Sequence, residues 1–374
     1  MNDPNSAKPP TRAEHIGSLL RPQRLRTAFE QYRTRKITAH AFEIVRDSCI
    51  DEVLRMQIDC GLCYLTDGEF RRSSWMWGFV DAVDGMTNKP TSFHFTDAQG
   101  GDLGVDVPHV GGRLSRKRGI ATHEFAYANA HIAGAPRARI KVTLPSPSAM
   151  HFMRGPDGID RAAYPDPDAF WEALIDIYRE ELHELGEIGC DYVQLDEVPI
   201  ALLCDPVVRE KIAGWGWSAE ALIDRYISAI NAVIADRPTG MTIGMHLCRG
   251  NYRGKWIASG GYEPIAERLF NEVRVDGFCL EYDDERAGDF EPLRFVPNNK
   301  YVVLGLVSSK RPALEPVDLL RQRIDAASIH VPMERLALSP QYGFATAVGG
   351  GGLSEDEERA KLTRIVDVAT RVWQ

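Results

Sequence analysis

What most constrains this chain is a rhythm. Short apolar, β-branched runs recur eight times along it: RAEHIGS (12–18), CYLTDGE (63–69), RIKVTLP (139–145), DYVQLDE (191–197), MTIGMHLC (241–248), DGFCLEY (276–282), KYVVLGLV (300–307) and RLALSPQ (335–341). Amphipathic segments at 40–60, 168–189, 218–235, 314–329 and 354–373 lie between or after them, with apolar residues at helical spacing. Ser354, with acidic residues in the turn that follows, reads as the N-cap of the last helix. Alternating strands and helices give a parallel sheet, and eight units predict a closed (β/α)8 TIM barrel. A doubly wound sheet is the alternative, but no GxGxxG follows the first run. The glycine run at 348–352 lacks the Lys-Ser/Thr of a phosphate loop and reads as a plain loop.

Residues 81–135 break the rhythm. Their Gly, Asp and Thr content predicts an excursion of hairpins and loops over one face. No repeat and no linker divides the chain, so 1–374 reads as a single barrel domain, with 1–10 as a frayed lead-in. At 374 residues and 44% hydrophobic content it can bury a large core. The formal net charge is −9 and the Lys and Arg residues are scattered, without the basic stripe a nucleic-acid partner requires. No apolar run approaches the roughly 20 residues that span a bilayer. Seven cysteines without disulfide-like spacing fit a reducing cytoplasm. Cys60 and Cys63 form a CxxC that reads as packing.

In a barrel of this kind the active site is built at the C-terminal ends of the strands, and the unusual polar residues of this chain fall there. His246 and Cys248 are two apart on the fifth run, so they point to the same side of an extended strand. Glu281 ends the next run. Nitrogen, thiolate and carboxylate are zinc ligands, and three of them leave one position open for chemistry. The bland alternative is a hydrogen-bonded core histidine beside a small buried thiol. Asp67, Glu69, Asp196 and Glu197 suit either a substrate ammonium or the capping of the helices that follow. Trp75, Trp77 and Phe79, with Trp215, Trp217 and Trp256, either wall a pocket for a flat ligand or fill the core.

Six motifs then carry a resemblance. RAEHIGSLLRP, DGEFRR, QLDEVP, HLCRGNY, LEYDDERAGDFEPL and LSPQYGF fall in the order and spacing of the catalytic barrel of cobalamin-independent methionine synthases. The chain is most similar to the short, single-barrel members, over residues 11–374. The resemblance implies zinc held by His246, Cys248 and Glu281. It implies a homocysteine-like amino-acid thiol with its ammonium on Glu69 and Asp196 and its carboxylate in the backbone cradle at Ile16 and Ser18. It also implies methyltetrahydrofolate as the methyl donor. The family's second cysteine ligand is absent: Tyr342 stands at its position in Ser339-Pro340-Gln341-Tyr342-Gly343. Cys279 is a candidate stand-in, and Lys310 falls near the place of a histidine taken as the acid in the larger synthases.

The expected activity is therefore zinc-dependent methyl or alkyl transfer to a thiol. A diverged reaction on the same site is the alternative: demethylation, C–S or ether cleavage, or epoxide opening by a thiol, with Tyr342 as proton donor or substrate contact. A metal-free paralogue that binds an amino acid or pterin is the third reading. A homo-oligomer is compatible with all three.

Overall fold

A computed structural model describes residues 7–95, 103–252, 255–345, 347–349 and 352–373. The strands in chain order are β1 Tyr64–Leu65, β2 Val83–Pro90, β3 Asp106–Arg116, β4 Arg139–Ile140, β5 Val142–Pro145, β6 Tyr192–Glu197, β7 Thr242–Leu247, β8 Asn251–Tyr252, β9 Lys255–Trp256, β10 Gly277–Glu281, β11 Tyr301–Val307 and β12 Leu336–Pro340.

Six of them form one parallel sheet in the order β12-β11-β10-β7-β6-β5. The remaining barrel positions are joined to it by shorter pairings. β1 runs parallel to β4, which leads directly into β5. Residues 12–14 pair with the other edge: Ala13 forms a parallel bridge to Leu338, with backbone bonds of 2.9 Å from Glu14 N and to Arg12 O. Thr66 Oγ1 donates to Gly17 O at 2.6 Å, tying the first run to the second. All eight sequence runs thus occupy barrel positions in chain order.

The barrel strands are buried on both faces. β6 and β10 have no exposed residue, which is why they read as near-continuous apolar runs rather than alternating ones. Around them pack amphipathic helices, including Ala39–Asp59, Pro167–Glu187, Ala219–Ile234, Val317–Ser328 and Glu355–Trp373. In Ala219–Ile234 the Ser218 hydroxyl caps the Ala221 N–H at 3.3 Å, and Leu222, Ile223, Tyr226, Ile230 and Val233 form the inward face. The last helix is capped reciprocally by Ser354 and Glu357. Buried side chains from Ala13 to Ala369 form one contiguous cluster. No helix among the described residues is long and apolar enough to cross a membrane.

The excursion is a hairpin, β2 antiparallel to β3, as its turn-rich composition suggested. It also holds a helix that the composition concealed, Thr122–His131, whose Glu124 is tied to Arg72 below the second barrel strand. Residues 1–6 of the lead-in and residues 350–351 of the glycine run lie outside the described residues.

Candidate active site

The strand ends and the β2–β3 hairpin enclose a cavity of about 470 Å³. Ile16, Ser18, Glu69 and Asp196 form one part of its wall, His246, Cys248 and Tyr342 a second, and Trp75 and Trp77 a third. Phe95, Val105 and Val107 from the hairpin segment close the top. Sequence-selected residues from five different strand ends therefore meet at one mouth, while Asp67, Glu197, Glu281 and Lys310 do not line it.

The carboxylate wall depends on unusual backbone. Gly68 and Glu69 both take positive φ, +70° and +60°, and for Glu69 that conformation is strained. It turns the side chain inward, where Thr143 Oγ1 donates to Glu69 Oε1 at 3.0 Å. Glu69 Oε2 is buried with no partner. Gly17, at φ +136°, passes so close that a Cβ there would lie 2.5 Å from Thr143 Cγ2 and 3.3 Å from Glu69 Oε1. Only glycine fits. Burial, and then the Glu69 charge, pushes the Asp196 carboxyl up to about 8, and burial raises Glu69 as well. Two buried, mutually repelling carboxyls call for a cation between them.

At the second wall His246 lies on β7, in register with Asp196 of β6 and Cys279 of β10, and Cys248 follows just past the strand's end. Burial pushes the imidazole down to about 4 against the pull of Glu281, so the ring is neutral, and its Nδ1 is buried without a hydrogen-bond partner. Burial and then the Glu281 charge push the Cys248 thiol up to about 11. Glu281 lies behind the cavity wall, and its carboxyl sits below the usual range because the Arg249, Arg286 and Lys310 cations outweigh its burial. The Asn251 amide links the two: Nδ2 is 3.2 Å from Cys248 Sγ and 3.1 Å from Glu281 Oε1. Arg286 Nη2 donates to the same Oε1 at 2.9 Å, and the Arg249 backbone N–H to Oε2 at 3.2 Å.

The model of the family described as "Cobalamin-independent synthase, Catalytic domain" matches residues 10–371. The chain belongs to the cobalamin-independent methionine synthase family. It is 37% identical over 373 residues to the uncharacterized protein YxjG of Bacillus subtilis (strain 168), covering 98% of this chain and 96% of that protein. It is 24% identical over 330 residues to the methionine synthase of Pyrococcus furiosus, covering 88% and 85%. The crystal structure of a candidate vitamin-B12-independent methionine synthase from Listeria monocytogenes superposes with a TM-score of 0.76, at 29% identity and 98% coverage of both chains.

Membership in this family raises the question of metal. The donor types suit zinc: a neutral histidine with an orphaned nitrogen, a thiol and a carboxylate on neighbouring strands. As placed, no group of three or more His, Cys, Asp or Glu side chains among the described residues converges closely enough to hold an ion. The reason is local. The Asn251 amide occupies the space between Cys248 and Glu281, and Arg286 holds the oxygen that Asn251 also contacts. The residues fit the ion chemically, with Glu281 Oε1 held by Asn251 and Arg286 and Oε2 by the Arg249 backbone N–H.

Tyr342 is 4% exposed, beside Cys248 and the Glu281 carboxylate; burial first, then these neighbours, raises its phenol well above the ordinary range, so it stays protonated. Lys310 does not line the cavity. Its ammonium is held by Asp284 at 2.8 Å and Asp283 at 3.1 Å. Of the paired carboxylates at the fourth strand, Glu197 is the cap: it accepts from Ile200 N at 2.7 Å and from the Ser146 and Ser148 hydroxyls, while Asp196 faces the cavity. Asp67 turns from the cavity to accept from Glu69 N at 2.8 Å.

Several aromatic and thiol candidates are packing. Trp215 meets Phe93 edge-on, Trp217 stacks on His151, and Phe79 stacks on Tyr178. Trp256 lies under the Arg286 guanidinium. Cys279 belongs to a barrel-interior cluster with Ile16, Tyr301, Val303 and Ala337, and Cys60 packs against Met56. Sequence reasoning gave no role to Asn251 or Arg286. Both sit inside the quoted motifs, HLCRGNY and DDERAG, and that was the available signal.

Proposed function

We propose that the protein transfers a methyl group to the sulfur of a homocysteine-like amino-acid thiol, with methyltetrahydrofolate as donor and with zinc held by His246, Cys248 and Glu281. The observation that carries this reading is the pairing of two walls in one cavity. Buried carboxyls at Glu69 and Asp196 line the same cavity as neutral His246 and Cys248, with Asp196 and His246 paired on adjacent strands. One pocket that offers both a cation acceptor and soft ligands suits a short amino acid ending in sulfur.

In this reading Glu69 and Asp196 receive the ammonium, and the proton on the Asp196 carboxyl is released to solvent as it binds. The backbone around Ile16 and Ser18 receives the carboxylate, and Trp75 and Trp77 wall off water beside the methyl donor. Zinc supplies the positive charge that keeps a substrate thiol ionised at neutral pH, which makes the sulfur nucleophilic. The C–S bond forms as the donor's methyl–nitrogen bond breaks, and the donor nitrogen takes up a proton. Tyr342, at the position of the family's second thiolate, leaves the site with one negative charge fewer and a stronger Lewis acid.

A diverged reaction is the second reading, and Tyr342 favours it. A buried, protonated phenol beside Cys248 serves as a proton donor or contact for a leaving group other than a folate. The deciding experiment is methionine formation from L-homocysteine and 5-methyltetrahydrofolate by zinc-loaded protein and by Tyr342→Cys. Methionine from the wild type, or a strong gain in the variant, supports the synthase reading. No product from either refutes it and points to a different donor or acceptor.

A further inference from the structure

One fully buried side chain under this cavity has no part in the chemistry above: Gln194, two residues before Asp196 on β6. Its Nε2 lies 2.7 Å from the carbonyl of Ile16 and 2.6 Å from Asp196 Oδ1. Its Oε1 lies 2.9 Å from Lys141 Nζ. The neighbours fix which way the amide faces. An ammonium has only hydrogens to give, so it must meet the amide oxygen, and the amide's two N–H groups must then go to Ile16 and Asp196. Each N–H serves one arm of the pocket, the carboxylate cradle on one side and the ammonium acceptor on the other.

Lys141 is itself held. Nζ donates to Glu14 Oε1 at 2.8 Å and to the His15 carbonyl, and the pair is 0% and 1% exposed. Its ring neighbour is Tyr192, 5.4 Å away. A Glu14–Lys141–Gln194 chain therefore runs through the barrel interior and ends on both arms of the pocket. Burying an ion pair and an amide is expensive, and a methionine of similar volume would fill the same space without polar atoms to satisfy. What the polar chain supplies instead is direction.

We propose that Gln194 is the positioning residue of the amino-acid pocket. It sets the Ile16 carbonyl and the Asp196 carboxylate relative to each other, and the Glu14–Lys141 pair sets the polarity of its amide. The proposal rests on reading the pocket as an amino-acid site. With Oδ1 taken by Gln194, Asp196 keeps Oδ2 for the ligand ammonium. None of the hydrogen bonds in this chain involves His246 or Cys248.

The test is calorimetric titration of L-methionine and steady-state kinetics on zinc-loaded full-length protein, comparing wild type with Gln194→Met and Gln194→Glu. Gln194→Glu keeps the shape and the contact with Lys141 but offers no N–H, so it carries the test if the methionine variant unfolds. Both variants are expected to bind L-methionine and L-homocysteine about 10- to 100-fold more weakly, the effect of losing hydrogen bonds to a charged group. The KM for the methyl donor, and kcat at saturating homocysteine, are expected to change less than about threefold on the same basis. Amino-acid affinity equal to wild type in a folded variant overturns the proposal. So does a parallel loss in kcat and in both KM values, which marks a general structural role. A wild type that binds neither amino acid overturns the pocket reading itself, and the proposal with it, before any variant is compared.

Discussion

Arg286 and the incoming metal compete for one oxygen, which makes Arg286→Gln the most informative single change at the site. Arg286 Nη2 lies 2.9 Å from Glu281 Oε1, with the two side chains 11% and 0% exposed. At an effective dielectric of about 20, unit charges at that distance attract by about 6 kcal/mol before desolvation is counted. The net worth of such a charged hydrogen bond is about 1.5–3 kcal/mol. Where the metal takes the oxygen that Arg286 holds, it displaces that bond, so removing the bond is expected to tighten zinc binding by about 10- to 100-fold at 1.4 kcal/mol per decade. Glu281 keeps Arg249, whose Nη1 is 3.6 Å from Oε2, so the variant still folds. The assay is competition for zinc between apo-protein and a chromogenic chelator, with urea unfolding in parallel. Zinc affinity equal to or below wild type refutes the reasoning, because it means that Arg286 orients Glu281 for the metal rather than competing with it.

Three further outcomes follow from the same geometry. Tyr342→Cys replaces a protonated phenol with a soft ligand next to Cys248 and is expected to tighten zinc at least tenfold in the same chelator competition. Gly17→Ala forces a Cβ to within 2.5 Å of Thr143 at φ +136°, so urea unfolding is expected to show a loss of about 1–3 kcal/mol, with weaker homocysteine binding. Asp196 is raised from its ordinary value to about 8, so the free protein carries a proton there at pH 7 that an arriving ammonium expels. Amino-acid affinity should therefore rise with pH towards 8. Titrations in buffers of different ionisation enthalpy should show proton release, and Asp196→Asn should abolish it. The same raised carboxyl stabilises the fold below its unfolded value and loses that contribution as pH rises through 8, where Asp196→Asn gains on wild type.

The barrel was legible because each strand is buried on both faces and must be written in β-branched and apolar residues. The helix Thr122–His131 was not, since THEFAYANAH has no strong apolar stripe and lies in a turn-rich stretch. Asp196 and Glu197 are equivalent in composition and adjacent on a strand, so they point to opposite sides. Only the neighbours, Ser146, Ser148 and Ile200 on one side and the cavity on the other, tell them apart. The HxC spacing placed His246 and Cys248 on one face, but the partners of Glu281 come from the loops after β7 and β10, and no periodicity brings Asn251 and Arg286 together. Lys310 was chosen by position in the chain; its ion pairs with Asp283 and Asp284 are a tertiary fact.

The most direct test of the central claim is the zinc content of protein purified without chelator, measured beside Cys248→Ala. The account predicts close to one zinc per chain in the wild type and its loss in the variant, with both proteins folded. A folded wild type without bound zinc that takes up none on titration would contradict it, and the thiol-methylation mechanism would fall with the metal.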